Sequence, residues 1–142
     1  MPERILVAMD DSPLGRESLA YALDTFPDAR ITVVHVAYPE IDMLPANASE
    51  VYDADPDDLG EVGDETARAV FEAIRDLAGD RDLTVTYLLG ETDRRLVEYA
   101  EAGEFDHVVM GTHGREGLSR VLIGSVAEAV VRKTDVPTTL VK

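Results

Sequence analysis

The first apolar run of the chain, Ile5-Leu6-Val7-Ala8-Met9, is unbroken and stops abruptly at Asp10-Asp11-Ser12-Pro13. A short continuous apolar run bounded by turn residues reads as a strand buried on both faces, here Arg4 to Met9. Ser12 followed by Pro13 then opens a helix, because a serine oxygen can accept from orphan N–H groups and a proline at the first helical position has no N–H to lose. Leu19, Ala20, Leu23 and Phe26 recur at helical spacing, and Pro27 marks the stop. Ile31 to Ala37 is a second β-rich run. From Tyr38 to Asp57 the periodicity dissolves into Pro39, Pro45, Asn47 and Pro56 among acids, with no Lys or Arg between Arg30 and Arg68, which reads as an acidic loop.

Helical spacing returns from Leu59 to Ala78 through Ala67, Val70, Phe71, Ile74 and Leu77, with Gly79 as the C-terminal breaker. Leu83 to Leu89 alternates as a third strand ended by Gly90, and Leu96, Val97 and Ala100 give the apolar stripe of a third helix. Asp106 to Met110 makes a fourth strand. The glycine-punctuated segment GTHGREGLSRVLIGS, Gly111 to Ser125, leads into a last helix ending near Lys133, and Val136 to Val141 closes the chain as a fifth strand. Strands separated by helices pair in parallel through right-handed crossovers, so the expected fold is α/β, an open five-stranded parallel sheet with helices on both faces. The 142 residues are expected to form a single domain.

Composition narrows the function classes. No apolar run approaches the length of a membrane span, and the start MPERILVAMDDS has too short an apolar core for a secretory signal, so a cytoplasmic protein without a membrane partner is expected. There is no cysteine, which removes disulfides, thiolate metal sites and cysteine nucleophiles. The 29 acidic residues against 13 basic give a formal charge of -16, which disfavours nucleic acid as a partner. Such a charge repels itself in dilute buffer but is screened over about 3 Å at roughly 1 M salt, so a halophilic source is expected, with acidic loops in an ordinary mesophile as the alternative.

Two loops carry unusual chemistry, and each follows the carboxyl end of a strand: Asp10-Asp11-Ser12 after the first, Gly111-Thr112-His113-Gly114 after the fourth. In open α/β sheets ligands bind where the strand order reverses, so the two loops face one crevice if the first and fourth strands are neighbours. Ser125-Val126-Ala127-Glu128 fits a capping box, in which Ser125 caps the helix and Glu128 reaches back. A helix N-terminus offers free N–H groups and partial positive charge, and Gly111, Gly114 and Gly124 let backbone approach an anion, so phosphate is the expected guest. The alternative is that the glycines only shape turns and Ser125 only caps. Asp10 suits a ribose or a Mg2+ carried by phosphates; otherwise it is a turn aspartate. His35, inside an apolar strand, reads as a core residue, while His113 either touches phosphate or orients its loop. Neither G-x-x-x-x-G-K-[ST] nor G-x-G-x-x-G occurs at these loops, so hydrolysis of the Walker type lacks its lysine and no catalytic residue is assigned.

The spacing from Gly111 to Ser125, G-x2-G-x9-G-[ST], resembles the ATP-binding signature of the universal stress protein family. ILVAMDDSPLGRESLAYAL, VVHVA, LLGETDRRLVEYAEAGEFDHVVMGTHG and GSVAEAVVRKTDVPTTLVK extend the likeness over nearly the whole chain, failing only from Tyr38 to Asp64. The resemblance implies the strand order 3-2-1-4-5 and a Rossmann-like adenine-nucleotide fold. It implies ATP, AMP or ADP as ligand, with or without Mg2+, and Asp10 at the ribose or metal beside Ala8 and Met9. Val36 is then the adenine-lining residue, and Met110, Gly111, His113, Gly114, Gly124, Ser125 and Val126 form the ribose and phosphate cradle. Asp11 departs from the small residue common after that aspartate, and its charge either weakens an anionic ligand or recruits another cation. The resemblance also implies a homodimer through the edge strand Pro137 to Val141 and a role in stress response. The function expected is therefore nucleotide-binding and regulatory; an enzyme with slow ATP hydrolysis or phosphotransfer, and a dimeric scaffold that uses no nucleotide, are the alternatives.

Overall fold

The computed structural model describes residues 3–37, 65–112 and 123–142. Among these run β1 (Arg4–Ala8), α1 (Pro13–Thr25), β2 (Arg30–Ala37), α2 (Glu65–Ala78), β3 (Thr84–Leu89), α3 (Thr92–Ala102), β4 (His107–Gly111), α4 (Ser125–Lys133) and β5 (Thr138–Val141). The acidic loop, the Leu59 to Asp64 part of the second helix, His113 and Gly114 lie outside the described residues. The five strands form one parallel sheet in the order β3-β2-β1-β4-β5, the order that the resemblance implies.

Because side chains alternate along a strand, each strand feeds two cores. Ile5, Val7, Ile31, Val33, Val85, Tyr87 and Val109 point to one face, where Leu19 and Ala22 of α1 and Val70, Phe71 and Ile74 of α2 cover them. Leu6, Val34, Leu88, Val108 and Met110 point to the other, under Leu96 and Ala100 of α3 and Ala127 and Val130 of α4. The unbroken apolar runs thus follow from a sheet covered on both sides. Two expected core positions are exposed instead. Ala20 is on the outside of α1, whose buried positions are Gly15, Ser18, Leu19 and Ala22. Leu77, at the end of α2, is 37% exposed. The α1 stripe is thus centred one residue earlier than the larger apolar residues suggest, since glycine and serine supply two of its four positions. Gly79 stops α2 at φ +57, the left-handed conformation in which a side chain is strained.

The amino edge of the sheet is held by Asp106. Its Oδ2 accepts the N–H groups of Arg4 (2.9 Å) and Glu3 (3.0 Å), and these bonds hold the carboxyl below its ordinary value. His107 beside it contacts Phe26, accepts from or donates to Thr139 Oγ1 at 2.6 Å, and is pushed below 6.5 by burial. A depressed carboxylate stabilises the fold above its unfolded value and loses that contribution as pH falls through the folded one. A depressed histidine contributes fully above its unfolded value and loses the contribution as pH falls from there to its folded one. Thermal melts should therefore show two acid-sensitive windows, one opening below about pH 6.5 and removed in His107→Gln, the other below about pH 4 and reduced in Asp106→Asn. A wild-type midpoint that is flat through the upper window would contradict the histidine assignment.

Candidate functional site

The site is built on the carboxyl ends of β1 and β4, neighbours in the sheet with Val7 opposite Val109. Asp10 and Thr112 each follow three residues beyond that pair, so both loops leave the same edge. At this edge the peptides around Met9 are tied to β2 by two bonds: its N–H donates to Val34 O at 2.9 Å, and its carbonyl pairs with His35 Nδ1 at 3.0 Å. A carbonyl only accepts, so Nδ1 carries the proton. The His35 ring is buried in contact with Phe71 and Tyr87, as expected of a core residue.

Asp10 is half-buried and takes a hydrogen bond from the Ser12 hydroxyl, which in turn accepts the Gly15 N–H at 3.0 Å. Ser12 therefore caps α1, as its position before Pro13 predicts, and holds the Asp10 carboxylate at the same time. A Cβ at Gly15 would lie 2.7 Å from Asp10 O and 3.0 Å from Asp10 Oδ1, so the helix can approach this loop only through a glycine. Asp11 pairs with Arg16, Oδ1 to NH2 at 2.6 Å. The cation for the second aspartate is thus supplied by the chain itself.

Across the sheet, Thr112 N–H donates to Val141 O at 2.9 Å and Gly124 N–H donates to Thr112 O at 2.6 Å. The second bond brings the two ends of the glycine segment together at the end of β4. The expected capping box does not form. Gly124 is the N-cap of α4 (φ -64, ψ 156), Ser125 is the first helical residue, and there is no side-chain cap. Glu128 pairs with Arg132 at 3.0 Å instead of reaching back. One residue of register moves Ser125 from the cap to the exposed first turn and leaves the helix start uncapped by side chains.

Side-chain parity sorts the remaining candidates. Ala8, Val36 and Val126 pack against the core that contains Met110, so these four share the α3 and α4 side of the sheet. Met9 has the opposite parity: its side chain is buried under α1 and α2, leaving its main chain as its contribution to the site. Gly111 ends β4 and is half-buried. Asp10 has the parity of Leu6 and Ala8. Sequence reasoning missed Arg16, the support of Asp10 by Ser12, and the tie from His35 to Met9. Only the alternation of Ile5, Val7 and Met9 against Leu6, Ala8 and Asp10 could have placed Met9 correctly. Among the described residues no three His, Cys, Asp or Glu side chains are grouped to hold a metal ion, and no helix is long and apolar enough to cross a membrane.

A carboxylate after β1, an amino-terminal helix end after β4 and an apolar face beside them are the parts of a ligand crevice at a topological switch point. The molecule is thus an α/β protein whose two unusual loops leave the carboxyl ends of adjacent strands. The chain belongs to the universal stress protein family, whose model matches residues 1–142. Universal stress protein MJ0531 of Methanocaldococcus jannaschii is 30% identical over 146 residues, covering 99% of this chain and 82% of that protein. Two solved structures share the fold. One is a universal stress protein in complex with cAMP (21% identity, TM-score 0.69, 99% of this chain and 97% of that one). The other is the Archaeoglobus fulgidus universal stress protein in complex with dAMP (21% identity, TM-score 0.62, 99% and 98%).

Proposed function

We propose that this chain binds an adenine nucleotide, ATP by its glycine motif, at the crevice between the Asp10 loop and the start of α4, and that occupancy regulates a partner or its own assembly. The observation that carries the reading is the placement of Asp10 and Gly124 at the carboxyl ends of two adjacent strands, β1 and β4. Two relatives of the same fold bind adenine mononucleotides, cAMP in one and dAMP in the other. The parts fit such a ligand. The N–H groups at the uncapped start of α4 suit a phosphate, with Ser125 Oγ beside them. Ala8, Val36 and Val126, half-buried on the face of the sheet whose core holds Met110, offer apolar surface for the base. Asp10 suits the ribose hydroxyls or a Mg2+, whose other ligands would come from the phosphates and water.

In this reading no residue is assigned to catalysis. The edge strand β5 pairs with a copy of itself across a two-fold axis, because an unpaired edge in a sheet is stabilised by a further strand. A protein purified without added nucleotide should give a native mass spectrum of a dimer with about one adenine nucleotide per chain. Gly124→Leu should lose that ligand and bind added Mg-ATP at least about 100-fold more weakly, equivalent to roughly 2.7 kcal/mol, with an unchanged circular dichroism spectrum. An empty wild-type protein that also ignores added ATP, AMP and cAMP would remove the nucleotide reading and leave a scaffold.

A further inference from the structure

The first loop presents two consecutive carboxylates, Asp10 and Asp11, at the mouth of the proposed crevice of a chain with formal charge -16. A nucleotide adds negative charge at the same place. Two adjacent aspartates would oppose it, since Cα atoms of neighbours are only about 3.8 Å apart and the low-dielectric sheet edge screens them less than water does. The fold treats the two carboxylates differently. Asp10 is held by a neutral relay, from the Gly15 N–H through the Ser12 hydroxyl to its carboxylate. Asp11 meets a full positive charge, the Arg16 guanidinium at 2.6 Å, and its side chain is 25% exposed against 41% for Arg16. Gly15 and Arg16 are successive residues of the first turns of α1, so one short piece of helix sets both charges.

We propose that Arg16 is a positioning residue that makes this loop compatible with a polyphosphate, by cancelling the charge of Asp11 while Asp10 alone remains charged toward the ligand. This inference rests on the nucleotide reading above and specifies its electrostatics. The pair restores the charge of a one-carboxylate loop without removing Asp11. Its effect scales with the charge of the ligand. A triphosphate feels an uncovered Asp11 strongly and an uncharged nucleoside does not.

The test is calorimetric titration of ATP and adenosine into wild type, Arg16→Gln and the double variant Asp11→Asn/Arg16→Gln, each checked by its thermal melt. Arg16→Gln should weaken ATP by roughly three- to tenfold and leave adenosine within about twofold, as expected for a partly exposed charge a few ångströms from an anion. The double variant should return ATP to within about twofold of wild type, because both charges leave together. Raising KCl from about 0.1 M to about 1 M should shrink the Arg16→Gln deficit through screening. A double variant as weak as the single one would overturn the proposal and assign Arg16 to direct contact with the phosphates. Equal ATP affinity in wild type and Arg16→Gln would overturn it as well, with nucleotide binding intact. A wild type that binds neither ligand would remove the nucleotide reading, and this inference with it.

Discussion

Replacing Arg81 by alanine should lower the unfolding free energy by about 3 kcal/mol, among the largest effects expected of any half-buried polar side chain here. Its guanidinium, in the connection between α2 and β3, closes the carboxyl end of α1: NH1 donates to Leu23 O at 3.0 Å, and NH2 donates to Phe26 O at 2.6 Å and Ala29 O at 2.9 Å. The last carbonyls of a helix have no intrahelical partner and carry partial negative charge, so a planar cation with several donors satisfies both demands at once. A bond of this kind contributes about 1.5 to 3 kcal/mol, but carbonyls released by the substitution regain some water, so the sum stays well below three times that value. Urea denaturation of Arg81→Ala and Arg81→Lys would measure it, with lysine recovering less than half because one ammonium cannot reach all three oxygens. A loss below about 1 kcal/mol in Arg81→Ala would mean the carbonyls are already served by water.

Gly15→Ala should destabilise the protein and weaken the proposed nucleotide binding together. In an ordinary helix interior, glycine to alanine gains about 1 kcal/mol from backbone entropy. Here the new Cβ would stand 2.7 Å from a main-chain oxygen of Asp10, an atom that no side-chain rotation can clear, and 3.0 Å from its carboxylate. Overpacking of this kind costs about 1 to 3 kcal/mol, which exceeds the propensity gain, so the net sign is a loss of up to about 2 kcal/mol. The relief available is a shift of α1 away from the loop, and that shift breaks the Gly15 N–H to Ser12 bond that supports Asp10. A Gly15→Ala protein that melts higher than wild type and binds Mg-ATP equally well would show that the loop yields freely.

The sheet was legible in the chain because burial on two faces leaves continuous apolar runs, and the helices because their stripes keep helical spacing from Val70 to Ile74 and from Leu96 to Ala100. Strand ends moved by one or two residues, as at β5, which begins at Thr138 and not at Val136. What failed to be legible depended on register or on distance. Ser125 and Gly124 are both good N-cap residues, so the sequence S-x-x-E suggested a box that the actual helix start, one residue earlier in the cap, excludes. The resemblance puts Met9 beside Ala8 and Asp10, and because a strand sends neighbours to opposite faces its side chain lies in the other core. Arg81 bonds main-chain atoms 52 to 58 residues away, and a carbonyl leaves no mark on side-chain identity. The pairing of β1 with β4, which makes the two loops neighbours, came from the topology rule and the family resemblance and not from any local pattern.

The parallel sheet gives the molecule a front and a back, and Glu3 and Val141 lie at opposite ends of its strands. Glu3 and Arg4 are bound at the amino edge by Asp106, whereas Val141, one residue before Lys142, accepts the Thr112 N–H at the edge where the two loops lie. A fluorophore, affinity tag or fused domain attached ahead of Glu3 therefore leaves the proposed crevice clear. The same attachment after Lys142 places its linker against Thr112 and the outer strand, where it competes for space with whatever binds there.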